Sequence, residues 1–133
     1  MDQNDLDLRN LTYRRFVELG RAPAPDELGP SVEVLAGWRR LHDSHALVLD
    51  GDEIRMANPF SAVPTPYSVQ AAGRLWYANC AWDAFGICAL LGPGRIEYRD
   101  IVIEVDHGVP DDHGLLFHCE VPAVHWWDDI VYT

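Results

Sequence analysis

Lysine is absent from this 133-residue chain; all ten basic residues are arginine. That excludes Schiff-base chemistry on a lysine, including the usual lysine-bound pyridoxal phosphate. Positive charge is scarce as well: 21 acidic residues against ten arginines give a formal net charge of −11. Phosphate binding needs concentrated positive charge, so no nucleic-acid partner is expected. No apolar run approaches the ~20 residues of a membrane span. With an acidic, polar N-terminus and no leader pattern, the expectation is a soluble cytoplasmic protein without a membrane partner. Cysteine is sparse, at three residues. An odd, small number favours free thiols over a disulfide framework.

Nearly half the residues are apolar, at 48%, enough for a real core in one compact domain of α+β class. Residues 1–57 read as a helical unit resembling a winged helix. Leu8, Leu11, Phe16 and Leu19 share a helical stripe over Leu6–Leu19, with Gly20 as the stop. Ser31 fits an N-cap for a helix through Asp43 that carries Val34, Leu35, Trp38 and Leu41 inward. Segments 46–49 and 54–57 around Asp50-Gly51-Asp52-Glu53 read as a β-hairpin. A DNA-binding role for this unit is disfavoured, because Glu33 and Asp43 flank Arg39 and Arg40 and the hairpin tip is acidic. Packing against the rest of the chain is the expected role.

Residues 58–133 read as a second unit, a small antiparallel sheet with one helix. Asn58 to Tyr67 is a proline-stiffened loop able to wall a pocket. Strands are expected at Tyr67–Gln70, at Arg74–Ala78, as one long strand over Arg95–Val105, and at Gly114–Val121 as its partner. A weaker helical pattern covers Val124 to Val131. His107, Asp111, Asp112 and His113 cluster in a loop but lack the spacing of a known ion-binding loop. His42 and His45, at a helix end, are expected to meet its dipole or water.

The richest chemistry lies in Asn79-Cys80-Ala81-Trp82-Asp83. Cys80 in the first turn of a helix would gain from free backbone N–H groups and the helix dipole, which favour a thiolate. Asp83, three residues on, lies on the same face. A thiolate beside a proton-carrying carboxyl binds a soft metal and delivers a proton to what the metal holds. Cys88 lies about 12 Å along a continuous helix from Cys80 and reads as core. Alternation in a strand sends only one of His118 and Cys119 inward. His125, beside two tryptophans, is either a ligand or a packed ring.

Three stretches in this order resemble one family. They are Asn58-Pro-Phe-Ser-Ala-Val-Pro-Thr-Pro-Tyr67, then Leu75-Trp-Tyr-Ala-Asn-Cys-Ala-Trp-Asp-Ala84 running on to Leu90-Leu91-Gly92, then Val124-His125-Trp126-Trp127. Together they resemble the organomercurial (alkylmercury) lyases. The resemblance implies protonolysis of a carbon–mercury bond. Two cysteine thiolates would capture mercury and an aspartate would protonate the departing carbon. Cys80 matches the first thiol and Asp83 the aspartate. The second thiol position falls at Val121 or Pro122, and Cys119 is the nearest cysteine. The resemblance thus implies a small organometallic substrate and no required cofactor; by ligand softness, Cys80, Asp83, Cys119 and His125 are the candidate ligands of a mercury or copper ion. Without the second thiol, the alternatives are a soft-metal binder or a repurposed small-molecule enzyme on the same fold.

Overall fold

The computed structural model describes residues 1–111 and 114–131. Asp112 and His113, half of the loop cluster noted above, lie outside the described residues. Helix α1 runs over Gln3–Leu19, and the Asp2 carboxylate accepts from the Asp5 amide at its start. It stops where Gly20 takes a left-handed conformation (φ 71°) and its N–H bonds Phe16 O, as expected of glycine past a helix end. The buried stripe is Asp5, Thr12 and Phe16 rather than the leucines. Two polar residues can face inward because each has a partner. Arg40 bonds Asp5 Oδ1 at 2.8 and 2.9 Å. The buried Trp38 Nε1 donates to Thr12 Oγ1 at 3.0 Å, and Thr12 Oγ1 donates to Leu8 O at 2.8 Å. Thr12→Val keeps the shape and strands the indole N–H. A loss of about 1–3 kcal/mol is expected, read as a lower urea midpoint.

Helix α2 spans Ser31–Asp43 with Pro30, not Ser31, at the cap position; proline's fixed φ starts the helix without a side-chain cap. Strands β1 (Val48–Asp50) and β2 (Glu53–Ala57) form the hairpin. It does not stand apart as a wing. Strand β2 pairs with β3 (Phe60–Ser61), and β3 with β5 (Arg74–Ala78). Strands β4 (Tyr67–Ala71), β6 (Gly94–Tyr98), β7 (Ile101–Asp106) and β8 (Val109–Pro110) complete one eight-stranded antiparallel sheet in the order β1-β2-β3-β5-β4-β6-β7-β8. The architecture is α+β.

Two strand expectations fail. The long strand over Arg95–Val105 is β6 and β7, folded back at Arg99, whose φ is 55°. Segment 114–121 forms no strand, because β8 occupies the outer edge of β7 instead. The closing helix is a single 3-10 stretch, Ala123–Asp128. No helix among the described residues is long and apolar enough to cross a membrane.

Helix α3, Ala81–Leu91, lies on the middle of the sheet and buries Ala84, Ile87 and Cys88. The core beneath it is aromatic. Phe60 sits between Phe16 and Trp76, with ring centroids 5.2 and 5.1 Å away. Phe60 is fully buried, so the proline loop anchors in the core with that ring instead of lining an open pocket. Pro59 packs on α3, where a Cβ added at Gly86 would lie 3.2 Å from Pro59 Cβ.

Candidate functional site

Strand β5 and helix α3 meet at Asn79 and Cys80. Cys80 is not in the first turn, as expected, but at the N-cap, with extended backbone (φ −151°, ψ 179°). Its carbonyl accepts the Ala84 N–H at 3.1 Å, the first turn of the helix. The amides of Asp83 and Trp82 face the sulfur and favour its ionised form, without closing a side-chain capping hydrogen bond.

The thiol is nevertheless harder to ionise than a free cysteine. Burial is the largest cause and outweighs the two amides; the Asp83 charge acts in the same direction as burial. The expected low-pKa thiolate is therefore corrected. Desolvation by the surrounding fold exceeds what two helix-terminal amides return.

Asp83 follows one turn on. Burial raises its pKa above the free value of 3.8, against a hydrogen bond from Asn79 that lowers it. That bond, from Asn79 Nδ2 to Asp83 Oδ2, is 2.9 Å. The folded protein thus holds the Asp83 proton at pH values where the unfolded chain has released it. Ionised Asp83 costs stability, and the cost grows as pH rises from 3.8 through the folded value. Asp83→Asn, which still accepts from Asn79, is expected to be more stable than wild type at pH 7. The advantage shrinks as pH falls toward 3.8, checked by urea unfolding at both ends.

Two tyrosines lie electrostatically close to this pair, Tyr67 from the loop expected to wall the pocket and Tyr13 from α1, which the sequence did not single out. Tyr67 is harder to ionise chiefly through burial, with the Cys80 charge contributing, and its ring stacks on Tyr98 at 4.5 Å. Tyr13 on α1 is likewise raised by burial, with Asp83 adding to it. Its hydroxyl donates to Ala46 O at 3.2 Å. No local pattern announces Tyr13, because it reaches the site from a distant element.

Cys119 is exposed on the irregular stretch after β8, and its thiol donates to Val121 O at 3.1 Å. With no strand there, the alternation expected to send only one of His118 and Cys119 inward does not apply. His125 lies on the final 3-10 stretch, its Nδ1 3.0 Å from Asp128 Oδ2. Trp127 stacks on His45 at 3.9 Å, so the tail rests on the end of α2. Cys88 is buried under α3. Among the described residues no three His, Cys, Asp or Glu side chains form a group that could hold a metal ion. The four-residue set of Cys80, Asp83, Cys119 and His125 is therefore not assembled as one centre. Two open hollows, about 410 and 350 Å³, are lined by other residues, Gln70 and Arg95 in one and Phe85 and Ile103 in the other.

The alkylmercury lyase family profile matches residues 60–112. Over that segment the chain is similar to the alkylmercury lyases. The matched segment holds Cys80 and Asp83 and ends before Cys119. Among solved structures, the mercury-bound form of MerB2 is similar in fold, with a TM-score of 0.64 and 21% identity. The match covers 84% of this chain and 60% of that one, so the chain spans three fifths of the length of MerB2. No curated protein matches the chain.

Proposed function

We propose that the chain cleaves the carbon–mercury bond of a small organomercurial by protonolysis at Cys80 and Asp83. One observation carries the reading: within the matched segment, a half-buried thiol and a half-buried carboxyl sit one turn apart, and each is more reluctant to ionise than its free counterpart. Such a pair holds a proton that can be moved.

Mercury(II) is soft and suits sulfur. When the organomercury cation bonds to Cys80 Sγ, the thiol proton must leave. Asp83 is the acceptor at hand, and its raised proton affinity suits it to keep that proton. The carbon–mercury bond then breaks, and its electron pair takes the Asp83 proton to form the hydrocarbon. Mercury(II) stays on sulfur, and an added or cellular dithiol removes it. The proton shed by the thiol is the one delivered to carbon, so no external acid is needed.

Cys119 is the proposed second sulfur. Cys88 is buried and Cys119 exposed, which leaves Cys119 as the thiol free to join Cys80. His125, engaged with Asp128, takes none. The acidic surface supports a small-molecule substrate over nucleic acid. The test is benzene release from phenylmercury in excess thiol. Repeated turnovers by the folded protein support the reading, and no benzene from folded protein removes it.

A further inference from the structure

Asn79 Nδ2 faces more acceptors than it has hydrogens. Asp83 Oδ2 lies at 2.9 Å, Asn58 Oδ1 at 3.2 Å and Phe60 O at 3.3 Å. Its other atom, Oδ1, is buried without a hydrogen-bond partner. The orientation is fixed by chemistry. A backbone carbonyl and a carboxylate only accept, so turning the amide over would set oxygen against oxygen at both contacts.

A leucine of similar size would fill this junction and leave no orphaned oxygen. What leucine cannot do is tie the carboxylate to the loop. Phe60 O belongs to β3, whose ring is locked in the core. Asp83 is therefore referenced to the sheet as well as to its own helix. Among the described residues, Asn79 supplies the side-chain hydrogen bond to the Asp83 carboxyl, and it does so at Oδ2.

We propose that Asn79 is a positioning residue that ties down Asp83 Oδ2 and leaves Oδ1 as the single oxygen that carries and delivers the proton. The role rests on the protonolysis reading. An untethered carboxyl turns about its Cβ–Cγ bond and offers its proton in many directions; a tethered one offers it in one.

The experiment separates capture from chemistry. Phenylmercury is mixed with excess protein, and the Cys80 adduct and the released benzene are followed in a single turnover. In Asn79→Leu, capture is expected within about twofold of wild type while benzene release slows at least about tenfold. A smaller slowing overturns the proposal, as does loss of capture in step with release. Asn58→Ala, which removes only a loop contact of the same amide, is expected to release benzene within about twofold of wild type.

A second measurement does not depend on turnover. The Asn79 side-chain amide resonance is expected to move in Asp83→Ala relative to wild type. An unmoved resonance overturns the positioning role. Failure of wild type to release any benzene, with the amide coupled to Asp83 as expected, overturns the protonolysis reading instead.

Discussion

Cys80→Ser is expected to lose capture at position 80 together with turnover, by roughly a thousandfold or more in benzene release. The substitution changes one atom and keeps the N-cap geometry, so the fold is retained. Serine even suits an N-cap better than cysteine does. The change is one of softness. A hydroxyl oxygen is a poor ligand for a soft cation and gives up its proton far less readily than a thiol. Neither other cysteine replaces it. Cys88 is sealed under α3. Cys119 sits on an exposed, irregular stretch, without the two helix-terminal amides that face Cys80. Mass spectrometry after a stoichiometric dose of phenylmercury reads capture, and gas chromatography reads benzene. Undiminished benzene from Cys80→Ser would assign the chemistry to another thiol.

Asp83→Ala is expected to divide the two steps. Capture survives, because the sulfur and its amides remain and one cause of the raised thiol pKa, the Asp83 charge, is removed. Benzene release falls by about 10²–10⁴, the usual worth of a placed general acid–base. The adduct should accumulate as phenylmercury on Cys80 and discharge only slowly. If release instead keeps its wild-type rate, the proton comes from elsewhere, and water or a tyrosine such as Tyr13 becomes the candidate.

Much of the frame was legible because it is local. The Gly20 stop, the inward face of Val34, Trp38 and Leu41, the strand over Arg74–Ala78 and the helix ending at Gly92 follow from spacing and turn chemistry. The fold-back between β6 and β7 was not legible. Its turn is Arg99-Asp100, without the glycine that a left-handed position usually announces, and apolar alternation runs through both strands. The partner of β7 was misplaced for a similar reason: Val109–Pro110 is too short to register as a strand, while 114–121 alternates without pairing.

At the site, the spacing put Cys80 and Asp83 one turn apart at the start of a helix, where they lie, but overstated the ease of ionising the sulfur. A helix-dipole argument sees only the segment. The burial that raises Cys80 comes from the packed surroundings, and no spacing rule carries that information. Asn79 stood in plain view four residues before Asp83. Its bonds to Asn58 and Phe60 join it to a loop nineteen to twenty-one positions away, a contact that no spacing rule reveals.

The central claim is that a proton from the Cys80–Asp83 pair ends on the carbon released from mercury. A single turnover of phenylmercury in deuterium oxide, with no added thiol, tests it most directly. Both groups exchange with solvent, so one equivalent of singly deuterated benzene should appear, with bare mercury left on Cys80. An intact phenylmercury adduct on Cys80, with no benzene evolved, would mean that the site captures mercury and does no chemistry on it.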